Sequence, residues 1–220
     1  MKDIKKFFNT EKYLHKNIFE NVENLRDLFL KLNEYFYNFK FTKIKSKIPS
    51  SCYLENEEKI FLGENCIIEP NTYIKGPCII GKNAQIRHGA YIRGNVLAGD
   101  NCVIGHATEI KNSILLDNVK AAHFAYVGDS IIGNNVNVGA GVKFANFRLD
   151  QNEISFMFES KKIYTGLNKL GAIIGDDCQI GCNSVLNPAT FFEKSVICYP
   201  CLNIGGYFEK ESIIKQSQKK

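Results

Sequence analysis

Aliphatic residues recur at every sixth position over a long central stretch of the chain. Stepping by six from Leu62 meets ten apolar residues in succession: Leu62, Ile68, Ile74, Ile80, Ile86, Ile92, Ala98, Ile104, Ile110 and Leu116. Small or slim residues such as Cys66 and Ala84 stand four places after them. This hexapeptide pattern is typical of a parallel β-helix, in which three hexapeptides close one triangular coil of about 18 residues. Neighbouring coils pair at the usual strand spacing of about 4.8 Å.

A β-sandwich is the alternative architecture for a chain rich in aliphatic residues. Sandwich strands alternate with a period of two and vary in spacing, so they do not give an apolar ladder at a constant step of six. The repeat also resumes after an interruption, at residues 132–142 and 174–184. We therefore predict a mainly β chain, with a parallel β-helix over residues 56–205.

Four of the eight cysteines fall in the small-residue place of the repeat, namely Cys66, Cys78, Cys102 and Cys178. A free cysteine behaves as a small apolar side chain, so we expect these four to pack in the core. The pair Cys198 and Cys201 lacks the second pair that a zinc site needs.

The first segment, residues 1–55, lacks the repeat. Apolar residues from Ile18 to Phe36 recur at helical spacing, which predicts an amphipathic helix. The open end of a solenoid needs a cover, so we predict that this helix caps the coil and that residues 42–49 form a short lead-in strand. A partner-binding helix is the alternative.

Two other segments also depart from the repeat. Residues 146–170 interrupt it, and their pattern predicts a β-hairpin with a polar tip. Insertions in a solenoid often lie on the binding face, where we expect this one. Residues 206–220 are predicted to form a polar tail that is frayed at its end.

Composition excludes several classes of protein. The chain has 28 Lys and Arg against 23 Asp and Glu, a net charge of +5. This surplus is not clustered into the basic stripe of a nucleic-acid-binding surface. No apolar stretch approaches the roughly 18 residues that span a bilayer, and the first residues lack the apolar core of a secretory signal. We expect a cytoplasmic protein that binds neither nucleic acid nor membrane.

Three basic residues, Lys75, Arg93 and Lys111, follow one another at intervals of 18. In an 18-residue coil these three residues stack in one column. Cations at such short distances repel one another unless an anion lies between them. The column is either a solvated face of the rod or a phosphate site, since Arg offers a fork of donors and Lys a point charge.

Histidines mark a second region of interest. The repeat falters around His123, which we place on a different side of the triangle from the basic column. Its imidazole suits a general base acting on an amine, and a purely structural role is the alternative. His88 and His106, 18 residues apart, are expected to stack on the surface.

Several stretches resemble a known family. They are residues 109–113, the run AHFAYVGD at 122–129, residues 133–141 and 146–150, and the run TGLNKLGAIIGDD at 165–177. Together they are similar to the left-handed β-helix acetyltransferase domain of the bifunctional sugar-1-phosphate nucleotidyltransferase/acetyltransferases. The later stretches resemble the archaeal-type branch. The resemblance implies a left-handed coil and the transfer of acetyl from acetyl-CoA to the amine of glucosamine 1-phosphate.

The resemblance also implies roles for individual residues. His123 corresponds to the general base and Asn146 to the residue that orients the amine beside it. Arg93 and Lys111 correspond to the residues that hold the sugar phosphate.

The remaining implied contacts surround these groups. Tyr126 and Asn137 correspond to sugar contacts, and Lys169 to a lysine supplied by an adjacent subunit near the phosphate. Cys182 and Tyr199 lie where the family binds its coenzyme. The resemblance therefore implies acetyl-CoA as co-substrate, no metal requirement for acetyl transfer and a homotrimer.

The sequence departs from the family in two respects. The first 50 residues contain no Gly-rich phosphate loop, so we expect any nucleotidyltransferase to be a separate partner. Phe192 and Tyr199 replace small residues, which we expect to add bulk in the coenzyme groove. A module that binds sugar phosphate without catalysis is therefore the alternative function.

A third interpretation is a metal-dependent hydratase. It requires three histidines that converge, and the spacing of His88, His106 and His123 disfavours it.

Overall fold

The structure is a computed structural model that describes residues 4–22, 25–42, 44 and 46–216. Near the N-terminus, 3-10 turns at Ile4–Lys6 and Lys16–Phe19 precede helix α1, Leu25–Asn38, and a third 3-10 turn covers Glu57–Lys59. The described strands are β1 (Tyr53–Glu55), β2 (Ile60–Leu62), β3 (Ile67–Ile68), β4 (Tyr73–Lys75), β5 (Cys78–Ile80), β6 (Gln85–Ile86), β7 (Tyr91–Ile92), β8 (Val96–Ala98), β9 (Val103–His106), β10 (Glu109–Lys111), β11 (Ser113–Leu115), β12 (Lys120–His123), β13 (Tyr126–Gly128), β14 (Ile131–Ile132), β15 (Asn137–Val138), β16 (Lys143–Phe144), β17 (Ser155–Phe158), β18 (Lys161–Tyr164), β19 (Ala172–Ile174), β20 (Gln179–Ile180), β21 (Val185–Leu186), β22 (Thr190–Phe192), β23 (Ile197–Cys198), β24 (Asn203–Ile204), β25 (Tyr207–Phe208) and β26 (Ile213–Ile214).

These strands form a three-sided parallel solenoid, as the repeat predicts. Sheet A contains β1, β4, β7, β10, β13, β16, β21 and β24. Sheet B contains β2, β5, β8, β11, β14, β19, β22 and β25, and sheet C contains β3, β6, β9, β12, β15, β20, β23 and β26. Each coil contributes one strand to each sheet. The strands of a coil therefore form their backbone hydrogen bonds with the coils above and below. The left hand of the coil stays a prediction from the resemblance.

The interior of the solenoid is a single apolar column. Alternate residues of each strand point inward, and the buried cluster includes Ile74, Ile92 and Ile110. Cys66, Cys78, Cys102 and Cys178 belong to this cluster and are free thiols, which confirms their expected packing role. Burial raises the pKa of the Cys78 thiol above its ordinary value, so that thiol stays protonated.

Asparagines stabilise one edge of the solenoid. The edge between sheets B and C carries a ladder of hydrogen-bonded side chains: Asn65, Asn83, Asn101, Asn118, Asn135 and Asp177. All six adopt positive φ angles between 57° and 62°. Asn and Asp tolerate this left-handed conformation better than other residues with a Cβ, so the sequence can place a sharp bend in each coil without glycine.

Coil length changes along the rod. Ile110 pairs with Ile92, 18 positions earlier, but Ile114 pairs with Leu97, only 17 positions earlier. The coil loses one residue at the corner after Lys111. As a result Leu115, rather than the predicted Leu116, points into the core, and Leu116 packs on the outside of sheet B.

The N-terminal segment covers the side of the solenoid rather than its end. The outward-facing Ile79, Leu97 and Ile114 of sheet B share a buried cluster with Leu28 and Leu32 of α1. The prediction that the helix caps the open end was therefore wrong. The outer face of sheet B is aliphatic. The helix packs on this face because removing apolar surface from water is favourable.

The end of the rod is closed by the segment before β1. Ile44, Ile48 and Cys52 pack against the interior column, and the described residues of 42–49 form no strand. The predicted continuous helix is also interrupted, because Asn21 has a φ of 54° between the 3-10 turn and α1. No described helix is long and apolar enough to cross a membrane.

The solenoid is longer than the predicted domain of 56–205. β1 pairs with β4 at its start, while β25 and β26 pair with β22 and β23 at its end. The last coil spans 16 positions, since Tyr207 pairs with Phe191, so it no longer matches a step of six. The predicted tail at 206–220 is thus part of the rod as far as Ile214.

The insertion contains the predicted hairpin, formed by the antiparallel strands β17 and β18. It packs on sheet B, where Phe156 lies 4.4 Å from Phe191 and Phe158 lies 4.8 Å from Tyr207 between ring centroids. Aromatic packing therefore holds the hairpin on sheet B beside the N-terminal segment, whereas Asn146 and Lys169, near the ends of the insertion, lie by the corner after β13.

Candidate functional site

The predicted basic column exists on sheet A. Ile74 pairs with Ile92 and Ile92 with Ile110, so Lys75, Arg93 and Lys111 lie at equivalent places of successive coils. Each cation has a carboxylate partner within the chain: Lys75 with Glu55 at 2.6 Å, Arg93 with Glu109 at 2.6 Å and Lys111 with Asp129 at 2.7 Å. These carboxylates relieve the repulsion between stacked cations. An anion that binds here must therefore share the cations with them.

The corner after β13 gathers several polar side chains. Asp129 is only 4% exposed and has a φ of 49°. Its Oδ2 accepts hydrogen bonds from Lys111 Nζ at 2.7 Å and from Asn146 Nδ2, and its Oδ1 accepts one from Asn112 Nδ2 at 2.7 Å. Both oxygens of this buried carboxylate therefore accept hydrogen bonds from side chains. The corner therefore brings together two of the predicted site residues, Lys111 and Asn146.

Tyr126 completes this corner. A Cβ built on Gly128 would lie 2.6 Å from Tyr126 Oη and 2.8 Å from Asn146 Nδ2, so both groups lie over that glycine. Burial and then the negative charge of Asp129 raise the pKa of Tyr126, whereas a hydrogen bond with Asn146 lowers it. The hydroxyl therefore stays protonated at neutral pH and remains available as a donor.

His123 lies before β13, at the corner between sheets C and A, whereas Asp129 lies after β13, at the corner between sheets A and B. It ends β12 on sheet C, and the strand β13 that separates it from Asp129 is three residues long. His123 pairs in register with His106, whose ring stacks on that of His88 at 5.7 Å. The expected stack of His88 and His106 is confirmed, and the 17-residue coil adds His123 to the same corner.

The backbone beside His123 is strained. Phe124 has a φ of 33°, and its ring is half exposed and lies 6.5 Å from the His123 ring between centroids. Among equivalent corners of other coils, Asn71, Gly89 and Gly141 adopt positive φ more easily, while Ala107 and Cys201 also adopt it but carry smaller side chains than Phe124. A bulky side chain in this conformation is uncommon and is more frequent at functional sites.

The other predicted contacts are more dispersed. Asn137 lies on sheet C, in register with Lys120. Lys169 directly precedes Leu170, whose backbone N–H donates to the carbonyl oxygen of Asn146 at 3.0 Å. Lys169 thus lies on a chain segment beside the Asn146 corner, and its side chain is exposed.

The predicted coenzyme residues lie on the corner between sheets C and A. Cys182 follows β20, Tyr199 follows β23, and both side chains are exposed. Tyr199 is 51% exposed and borders Gly181 of the neighbouring coil. The expectation that Phe192 adds bulk to this groove was wrong. Phe192 is fully buried in the interior, with its ring 5.4 Å from that of Phe208.

Three residues beside the predicted site residues were not singled out from the sequence. Asp129 lies 18 positions after Lys111, so the step that found the basic column also meets this aspartate. Glu109 stands two residues before Lys111, the position that shares its face of a strand. Gly128 had no sequence signal, because its role depends on how the Tyr126 side chain folds back.

Among the described residues, no group of three His, Cys, Asp or Glu side chains is arranged to hold a metal ion. The three histidines of the corner therefore form a surface column rather than a cage.

Comparisons with known proteins match the repeat region. A family model described as the GMPPB C-terminal domain matches residues 74–158. A bifunctional protein GlmU of Methanococcus maripaludis is 34% identical over 84% of this chain and 44% of its own length. A bifunctional sugar-1-phosphate nucleotidylyltransferase/acetyltransferase of Sulfurisphaera tokodaii is 38% identical over 40% of this chain and 22% of its own length. The chain thus spans less than half the length of these relatives.

Among solved structures, the UDP-N-acetylglucosamine acyltransferase of Campylobacter jejuni covers 74% of this chain and 71% of its own, with a TM-score of 0.46 and 16% identity.

Proposed function

Since the repeat region of this chain is related to that of the bifunctional sugar-1-phosphate nucleotidylyltransferase/acetyltransferases, we propose that the chain is an acyl-CoA-dependent N-acetyltransferase. Its proposed substrate is an amino-sugar 1-phosphate such as glucosamine 1-phosphate. The observation that carries the proposal is the convergence of Lys111, Tyr126 and Asn146 on the Asp129 corner, with His123 at the other end of β13.

The sugar phosphate binds to sheet A in this proposal. Arg93 offers donors besides the Nη1 that contacts Glu109, and Lys111 adds a point charge. A sugar that lies along the short strand β13 contacts Tyr126, with the Asp129 corner at one end of the strand and His123 at the other. Asn137 and Lys169 are proposed as further contacts, with Lys169 coming from a neighbouring copy in a homotrimer.

The proposed chemistry is direct acyl transfer. His123 takes a proton from the substrate amine as the nitrogen lone pair forms a bond with the thioester carbonyl carbon. The tetrahedral oxyanion is stabilised by a backbone N–H. The carbon–sulfur bond then breaks, coenzyme A leaves as a thiolate, and no metal is needed. A general base of this kind contributes about 10²–10⁴-fold to the rate.

Acetyl-CoA is proposed to lie along the corner that carries Cys182 and Tyr199. The alternative function, a module that binds sugar phosphate without catalysis, is favoured by the exposed Tyr199 ring alone, because Phe192 lies inside the core. A nucleotidyltransferase is proposed as the partner that uses the acetylated product.

The test is acetyl-CoA turnover with glucosamine 1-phosphate. His123→Ala is expected to lower kcat by at least about 100-fold, and His106→Ala, at the same corner of the preceding coil, is the matched control. The absence of turnover with any hexosamine phosphate would contradict the enzymatic proposal. A rise in the unfolding midpoint with sugar phosphate but none with acetyl-CoA would then support the binding module.

A further inference from the structure

The Asp129 carboxylate joins side chains from three successive coils. Lys111 and Asn112 approach it from the preceding coil, and Asn146 approaches it from the following one. We propose that Asp129 is a positioning residue, which decides which end of the Asn146 carboxamide faces the substrate. The inference rests on the proposed function for its substrate, and it adds a residue to which neither the sequence nor the resemblance assigned a role.

The orientation of Asn146 follows from donor and acceptor chemistry. A carboxamide has two N–H donors on Nδ2 and one acceptor, Oδ1, whereas an ionised carboxylate only accepts. Asn146 must therefore turn Nδ2 toward Asp129. The same Nδ2 also lies beside the Tyr126 hydroxyl over Gly128. With Nδ2 turned inward, Oδ1 faces away from the corner as an acceptor.

This orientation selects the chemistry of the ligand. An outward acceptor binds an ammonium or amine N–H through a hydrogen bond, which is strengthened when the donor is charged. An outward Nδ2 would instead oppose an ammonium and favour a group that can accept. Asp129 therefore makes the pocket prefer an amino group over a hydroxyl at the sugar position that Asn146 reaches.

The same carboxylate also keeps Lys111 in place. Its Oδ2 is shared by Lys111 Nζ and Asn146 Nδ2, so one atom sets the separation between the phosphate-binding cation and the amine-binding amide. Asn112 and the backbone hydrogen bond from Asp129 N–H to the Lys111 carbonyl oxygen, 3.1 Å long, hold Asp129 itself. The carboxylate thus stays in position when a phosphate draws on Lys111.

The central variant is Asp129→Asn. Its backbone is compatible with the fold, because Asn112 adopts a φ of 43° at the same corner of the preceding coil. The introduced carboxamide has one acceptor atom instead of two for the donors of Lys111, Asn112 and Asn146, and its own Nδ2 opposes one of them, so we expect Asn146 to lose its fixed orientation. Asp117→Asn is the matched control, because the Asp117 carboxylate accepts a backbone N–H at a different corner.

The readout is the ratio of the dissociation constants of glucose 1-phosphate and glucosamine 1-phosphate, measured by calorimetry. Wild type and Asp117→Asn are expected to prefer the amine, and Asp129→Asn is expected to lose roughly tenfold of that preference. An unchanged preference in Asp129→Asn would overturn the inference.

Loss of a negative charge could also weaken amine binding directly, and a double-mutant cycle separates the two causes. If Asp129 acts through Asn146, then Asp129→Asn has no further effect on the ratio in an Asn146→Ala background. Additive effects of the two substitutions would overturn the positioning role.

A measurement without ligand keeps the inference distinct from the proposed function. In wild type, the Asn146 side-chain amide protons are expected to exchange with water at least tenfold more slowly than those of the exposed Asn137, as followed by NMR. They are expected to exchange at similar rates in Asp129→Asn. Failure of wild type to bind any sugar phosphate contradicts the proposed function, whereas rapid exchange of Asn146 in wild type contradicts the Asp129 network itself.

Discussion

The Tyr126 hydroxyl lies directly over Gly128, two residues further along the same strand, where a Cβ would approach Tyr126 Oη to 2.6 Å. Both contacts that a Cβ at position 128 would press on, Tyr126 Oη and Asn146 Nδ2, are ends of side chains that can move aside. The glycine is therefore required by the site more than by the fold.

Gly128→Ala is expected to preserve folding and to displace Tyr126 and Asn146. Because a misplacement of about 1 Å can cost about 100-fold in rate, we expect kcat/KM for an amino-sugar 1-phosphate to fall by that order. Steady-state kinetics and thermal unfolding measure the two effects. Gly205→Ala, where the nearest atom is Asn187 Cβ at 3.1 Å, is the control, and an equal loss of activity in both variants would contradict the argument.

Phe124→Asn is expected to stabilise the protein while impairing its function. Asn adopts a positive φ more readily than Phe, so relief of the strain should raise the free energy of unfolding by about 0.5–1 kcal/mol. The aromatic wall beside His123 is lost at the same time, and we expect a lower kcat/KM. Urea unfolding and kinetics test the pair of effects. If Phe124→Asn instead lowers the free energy of unfolding, the Phe124 ring stabilises the fold through packing, which contradicts the prediction.

Acidification is expected to loosen the N-terminal segment through His15. Burial lowers the pKa of His15 from 6.5 to about 4, against a small opposing effect of Asp100, and His15 Nδ1 shares a 2.7 Å hydrogen bond with Tyr35 Oη. The unfolded chain takes up a proton below pH 6.5 while the folded chain resists until about pH 4. Stability is therefore complete above pH 6.5 and falls as the pH drops through this window.

The size of that loss is at most about 3 kcal/mol. Burial also raises the pKa values of Asp117 and Asp176, so these carboxyls titrate in the acidic range with the opposite sign. The measurement is accordingly the difference in unfolding free energy between wild type and His15→Phe at pH 7 and at pH 4.5. A difference that does not change with pH would refute the assignment.

Ile114→Ala tests the placement of the N-terminal segment on sheet B. Ile114 faces outward and is fully buried in the cluster that includes Leu28 and Leu32. Truncating a buried Ile costs about 2–5 kcal/mol. Val103→Ala, at a half-buried outward position on sheet C, is expected to cost less than about 1 kcal/mol. Equal costs in urea unfolding would show that the segment does not seal sheet B.

Tyr199→Ala is expected to improve acetyl-CoA binding, because the exposed ring stands on the proposed coenzyme corner. Phe192→Leu is expected to leave the KM for acetyl-CoA unchanged, since Phe192 faces the interior. Kinetics with both variants measure the difference. A lower affinity in Tyr199→Ala would mean that the ring stacks on the coenzyme rather than obstructing it.

The local pattern of side chains sufficed to predict the solenoid. Ile74, Ile92 and Ile110 point inward because strand alternation and a regular coil make the inward position a property of the nearby sequence. The same regularity placed Lys75, Arg93 and Lys111 in one column, because coils of equal length stack residues that are 18 positions apart directly on one another.

Long-range contacts decided the rest. The single residue lost after Lys111 changed the register from 18 to 17 positions, which set His123 beside His106 and moved Asp129 from the strand to the corner. The helix packs on sheet B because outward residues from several coils together form an apolar face. The sequence of a single repeat does not predict this face.

The sequence by itself thus determined the repeating coil, the buried cysteines and the basic column, all of which depend on residues within a coil or one coil apart. Only the tertiary structure decided the ion pairs that neutralise the column, the burial of Phe192 and the orientation of Asn146. These depend on where side chains from different coils and segments meet, and that geometry is set by packing between residues distant in the chain.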